Sequence, residues 1–210
     1  MKKRQALDRA SERITVYMSK YVVFDLEMCR VNKHKKTEQF HYNQELIQIG
    51  AVLLDESYEI TDRFETYVTP QFGALDPVIT KLTGITREKL KGAPSTEEAL
   101  MHFSDWIPDD ALLVEWSDSD RNQLYNELYG KDIYDDKLED LLEEIIDCQA
   151  LFGEKMNTNR QYMLSEALII AAIDDYSDGA HDALVDAINT AMLFKKIQVD
   201  KAFTLSPYLI

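Results

Sequence analysis

Cysteine, glycine and proline are scarce, at 2, 7 and 5 of 210 residues. The two cysteines, Cys29 and Cys148, cannot build the disulfide framework that staples small secreted domains, and they fit a reducing compartment. So little glycine and proline leaves no room for a long flexible linker, and the length suits one domain with a full hydrophobic core. No run of about 18 apolar residues occurs, which excludes a membrane-spanning helix. Met1 to Lys20 is charged and lacks an apolar stretch of signal-peptide length, so the expected location is intracellular, in the cytoplasm, with no membrane contact. Basic residues are also in deficit, with 23 Lys and Arg against 38 Asp and Glu for a net charge of −15. Nonspecific nucleic-acid binding draws mainly on lysine and arginine at phosphates, so this balance argues against a broad duplex-coating surface.

The charge is unevenly spread. Lys2, Lys3, Arg4, Arg9 and Arg13 precede the first apolar run, Arg30, Lys33, Lys35 and Lys36 follow it, and the stretch from Asp105 to Asp147 is strongly acidic. Residues 1–19 are expected to be a basic arm or helix. Tyr21 to Phe24 reads as a short buried strand, Glu45 to Leu54 as a central strand and Glu59 to Val68 as a half-buried one stopped by Pro70; in succession they predict an antiparallel meander. The spacing of Val78, Leu82 and Ile85 predicts a short helix stopped by Gly84, and Ser95 with Glu98 forms a capping-box signature opening the next helix. Leu112 to Trp116 and Glu144 to Cys148 read as further strands. Arg121 to Tyr129, Leu164 to Ile173 and Asp182 to Gln198 read as helices. Strands interleaved with helices in this order predict an α/β sheet layered with helices.

The most informative residues are acidic. Asp25 and Glu27, two apart, point to one face of a regular strand. Further along come Asp120, then His181 with Asp186 five positions later. Four carboxylates converging without a cation would repel, at about 4 kcal/mol for a pair 4 Å apart in an effective dielectric near 20. Two hard divalent cations need such oxygens from several chain segments, and a lone histidine nearby can take the proton from an attacking water. Asp118 is a rival to Asp120, which is preferred because it opens the helix Arg121-Asn122-Gln123-Leu124. His181 is expected in the loop that Gly179-Ala180 favours; the competing assignment makes Asp182 a helix cap and His181 structural.

In the order Asp-x-Glu, Asp, His-x4-Asp, the chain resembles a DEDDh exonuclease of the DnaQ-like superfamily on a ribonuclease H-like fold, and the segment Ile79-Thr80-Lys81-Leu82-Thr83-Gly84-Ile85-Thr86 resembles the family's stretch beside the terminal nucleotide. The resemblance implies a five-stranded mixed sheet flanked by helices, with the exonuclease domain over 20–198 and a tail over 199–210. It also implies metal ligands at Asp25, Glu27, Asp120 and Asp186 for two Mg2+ or Mn2+ ions, and His181 as general base. The implied activity removes 5′-mononucleotides from the 3′ end of single-stranded RNA or DNA, using local basic loops and the metals to grip a few terminal nucleotides. Met28 and Ser119 depart from the family's usual threonine and aromatic residue, and Met28-Cys29 resembles the branch that trims RNA 3′ ends. Phe40, Tyr42 and Phe72 are candidates to stack on a base, with core or surface packing as the alternative. Two other functions stay open: a noncatalytic nucleic-acid-binding or assembly module on the same fold, and a polymerase-associated proofreading subunit. A protein partner and the choice between monomer and homodimer are not legible.

Overall fold

The structure is a computed structural model and describes residues 20–174, 176 and 181–203. The proposed arm at 1–19, most of the tail and the Gly179-Ala180 loop lie outside the described residues. Strand β1 runs over Lys20–Val31, far beyond the short strand expected. The apolar run stops at Phe24, but β2 (Gln44–Leu54) pairs with β1 antiparallel from Tyr21↔Leu54 to Arg30↔Gln44, and that ladder keeps the acidic stretch extended. Asp25 and Glu27 therefore lie within the central strand of the sheet, not at its end.

Strand β3 (Ile60–Tyr67) completes the antiparallel meander, as expected. β5 (Ala111–Glu115) lies parallel to the other edge of β1, and β6 (Ile146–Asp147) parallel to β5, so the main path runs β3-β2-β1-β5-β6. This is the expected five-stranded mixed sheet, with one addition: the two-residue β4 (Gly73–Ala74) pairs with Arg30 and Val31 at the far end of β1. β6 is shorter than expected because Asp147 accepts the Ala150 N–H at 2.8 Å and turns the chain into a helix at Cys148.

The helices begin at identifiable caps. Asp76 accepts the N–H groups of Val78 and Ile79 to open α1 (Pro77–Thr83), which ends at Gly84 with φ 67°, a left-handed position that glycine takes without strain. One turn of helix, α2 (Arg87–Leu90), follows. The expected capping box of Ser95 and Glu98 opens α3 (Thr96–Trp106). After α4 (Asp118–Gly130), the acidic stretch folds as α5 (Asp136–Glu143), burying Leu138 and Leu142 beneath its charges. Helices α6 (Cys148–Lys155), α7 (Leu164–Ile170) and α8 (Ala183–Val199) complete the order.

Alternate residues of β1 serve two cores. Val22, Phe24 and Leu26 pack with α3, α4 and α5 through Phe103, Leu124 and Leu138. Val23 packs on the other face with Phe152, Leu168 and Phe194 of α6, α7 and α8. Asp25 and Glu27 share the second face, where α8 crosses the sheet. A buried ion cluster ties β2 to α4: the Lys131 ammonium lies 2.6 Å from Glu45 and 2.8 Å from Glu127, all three being almost fully buried. Glu45 also accepts the backbone N–H groups of Gln71, Phe72 and Gly73, which fixes the segment leading into β4.

Candidate active site

Asp25 stands opposite Gly50 on β2, and Glu27 opposite Gln48. A side chain on Gly50 would overlap the backbone of Ala183 and Leu184, so the bare glycine lets the first turn of α8 rest directly on the sheet. Gln48, fully buried, accepts the Ala183 N–H at 3.3 Å and donates to Glu65 at 3.1 Å. These contacts bring Asp186, in the first turn of α8, beside Glu27. The sequence reading missed Gln48 and Gly50; a glycine inside an apolar strand was the available signal.

Asp182 caps α8, accepting the N–H groups of Leu184 and Val185. His181 precedes it with φ 68°, and its backbone N–H donates to Asp186 at 2.9 Å. Its ring is exposed, and a ring nitrogen lies within 4.8 Å of carboxylate oxygens of both Glu27 and Asp186. Asp182 thus has the capping role of the competing assignment while His181 still faces the cleft. Asp120 sits in the first turn of α4, 5% exposed, where the Leu26 backbone partly offsets the rise in its pKa. Asp118, by contrast, is exposed and does not line the cleft. Asp25, Glu27, Asp120, His181 and Asp186 all line one cleft of about 340 Å³, walled by Ile79, Leu82, Trp116 and Leu164.

The carboxylates destabilise one another's charge. Burial first, then Asp120, Asp186 and Glu27, raise the Asp25 pKa well above the ordinary carboxylate range. Glu27 is pushed up to about 8 by burial and by Asp186 and Asp182. Asp120 is raised by burial and by Glu115, a fully buried residue at the end of β5 that the sequence reading did not single out. Glu115 is itself pushed up to about 7 by burial, against the pull of the Arg121 N–H that it accepts at 2.9 Å. Among the described residues no lysine or arginine pairs with any of the four cleft carboxylates. Hard oxygen donors from three chain segments, crowded and lacking a cationic partner, fit divalent metal ions, whose charge inverts the local field.

The three stacking candidates are placed elsewhere. Phe40 is fully buried and stacks on Phe72 with ring centroids 4.7 Å apart, so it is a core residue; Tyr42 packs against its edge. None of these three lines the cleft, whose aromatic wall is Trp116. Both cysteines are free and buried, and burial pushes the Cys29 thiol up to about 12, which disqualifies it as a nucleophile.

A mixed sheet between helix layers, with this acidic cleft on its central strand, defines the ribonuclease H-like, DnaQ-like class of exonuclease domains. The chain belongs to the Exonuclease family, whose RNase_T model matches residues 22–194. It is 29% identical over 181 residues to the DNA polymerase III subunit epsilon of Aquifex aeolicus, covering 84% of this chain and 79% of that protein. It is 28% identical over 182 residues to the PolC-type DNA polymerase III of Bacillus subtilis, covering 87% of this chain but only 12% of that polymerase. Among solved structures, the nuclease domain of 3′hExo, a DEDDh family member, bound to rAMP, superposes with a TM-score of 0.74 at 20% identity, covering 91% of this chain and 98% of that one. At that identity the likeness shows the fold. Among the described residues no helix is long and apolar enough to cross a membrane.

Proposed function

We propose that the protein is a metal-dependent 3′–5′ exonuclease that releases 5′-mononucleotides from single-stranded nucleic acid. The observation that carries this is the convergence of Asp25, Glu27, Asp120 and Asp186 with His181 in one solvent-open cleft that supplies no cation of its own among the described residues. Two divalent ions held by the four carboxylates would neutralise them, activate water and stabilise charge on the phosphate. His181, exposed at the cleft, takes the proton from the attacking water; its backbone N–H bond to Asp186 fixes its place relative to the metal ligands. Gln48 and Gly50 hold α8 against β2, which sets Asp186 beside Glu27, where both would serve as metal ligands. The apolar wall of Ile79, Leu82 and Trp116 offers a surface for the terminal nucleoside.

The relatives include a DNA polymerase subunit and a structure holding rAMP, so both nucleic acids belong in the test. Single-stranded RNA and DNA labelled at the 3′ or 5′ end are incubated with manganese or with chelator, beside an Asp25→Ala control. Stepwise, metal-dependent loss from the 3′ end, abolished by the substitution, is the expected result. A folded, metal-bound protein that cleaves none of these substrates would instead be a noncatalytic module. A polymerase recovered in stoichiometric complex would mark a proofreading subunit.

A further inference from the structure

In a chain of net charge −15, residues 105–147 carry fifteen acidic side chains against three basic. Residues 30–36 and 76–91 carry eight basic side chains against two acidic. Pairing of Arg30 with Ala74 across β1 and β4 brings these two basic segments together, and Arg30 reaches to 3.9 Å from Asp76. Two grooves, of about 500 and 610 Å³, run through this region and share Leu75, Arg87 and Glu88. The first is also lined by Lys81, the second by Lys91. Helix α1 divides them from the acidic cleft, presenting Ile79 and Leu82 to the cleft and Thr80 and Lys81 to the groove.

We infer that the two adjoining grooves together form the track for the sugar-phosphate backbone upstream of the nucleotide being removed, with Lys81, Arg87 and Lys91 meeting phosphates along it and Arg30 flanking them. The inference rests on the exonuclease function and adds where the body of the strand lies. Lys81, Arg87 and Lys91 are exposed and, among the described residues, have no carboxylate within 4 Å. Of the two acids in the groove, Asp76 is already committed to capping α1 and to Arg30. The terminal nucleotide in the cleft and a strand crossing α1 into the groove make one continuous path, and a narrow basic path suits an otherwise acidic surface better than a broad one does.

The test uses the full chain carrying Lys81→Glu, Arg87→Glu and Lys91→Glu together, with a matched control of Lys20→Glu, Lys155→Glu and Lys201→Glu that makes the same change in net charge. Binding of a dodecanucleotide protected by phosphorothioate linkages at its 3′ end is titrated against salt, and KM is compared for a trinucleotide and a dodecanucleotide. Three lost contacts to a single strand reduce the slope of log affinity against log salt by about 2, which corresponds to at least about tenfold weaker binding at low salt. The advantage of the dodecanucleotide in KM should vanish with them, while the control keeps both. An unchanged slope and length dependence in the groove variant overturns the assignment, as does wild-type protein that binds no dodecanucleotide. Self-association that only the groove variant loses, with strand binding intact, would give this face to the acidic surface of a second copy instead. Wild-type hydrolysis of a p-nitrophenyl ester of thymidine 5′-monophosphate reads the cleft separately: ester turnover without a groove effect sinks the track alone, and strand binding without ester turnover sinks the catalytic assignment alone.

Discussion

Replacing Glu27 by glutamine should make the metal-free protein more stable, and the gain should grow with pH. Glu27 is 8% exposed, and its carboxyl is pushed from 4.5 up to about 8 by burial and by Asp186 and Asp182. A carboxyl whose folded pKa is raised binds its proton more tightly in the folded state, so it costs no stability below the unfolded pKa. The cost accrues as pH rises through the interval from 4.5 to about 8 and is complete above it. At roughly 1.36 kcal/mol per pH unit the ceiling is about 5 kcal/mol, of which about 1 is present at pH 5 and about 4 at pH 8. Relaxation and water entry reduce such figures, so a net gain of about 1–2 kcal/mol between pH 5 and pH 8 is expected, or about 2–8 °C in Tm for a domain of this size. Asp25 and Asp120 both feel the Glu27 charge, and its removal relaxes them in the same direction. Thermal melts of both proteins in chelator across pH 5–8 measure the difference, and the pH 5 comparison subtracts whatever the amide loses in packing. A Tm difference that is flat or shrinking with pH would refute the idea that mutual repulsion in the cleft costs stability.

Four further outcomes are expected. Magnesium or manganese at about 100 times the dissociation constant should stabilise the wild-type fold by roughly 2.7 kcal/mol and raise Tm by about 5–10 °C, and an unchanged melting curve at millimolar metal would count heavily against the site. His181→Ala should lower turnover by about 10²–10⁴ while keeping that metal-induced rise; loss of the rise as well would make the histidine a ligand rather than a base. Gly50→Ala should cost at least about 3 kcal/mol, because the added carbon meets the backbone of Ala183 and Leu184, and should abolish the metal response along with activity. Lys131→Met should destabilise by about 3–5 kcal/mol in denaturant melts, since it leaves Glu45 and Glu127 buried without their cation.

Local signals were legible where the chemistry is local. The capping box at Ser95 and Glu98, the left-handed stop at Gly84 and the apolar run of β2 each depend on a few neighbouring residues, and the structure holds them as read. Elements set by distant partners were not legible. β1 continues through Asp25, Glu27 and Arg30 only because β2 pairs along its whole length, and β4 exists because Glu45 gathers the backbone of residues 71–73. The acidic stretch around α5 hides a helix because its leucines are outnumbered by charges, although Leu138 and Leu142 are buried.

The same division holds for the site. The sequence by itself determined which residue types are present and in what order, and Asp25 with Glu27 on one strand face follows from the two-residue period alone. Whether Asp118 or Asp120 reaches the cleft, and whether Asp186 stands beside Glu27, was decided by how α4 and α8 pack on the sheet. That packing draws on residues far away in the chain: α8 rests on the bare backbone at Gly50 and hangs from Gln48, more than 130 positions before its first turn. The basic track is likewise a product of tertiary structure, because pairing of β1 with β4 joins two segments that the sequence keeps about forty residues apart. Side-chain chemistry is written residue by residue, whereas convergence is a property of the packed sheet.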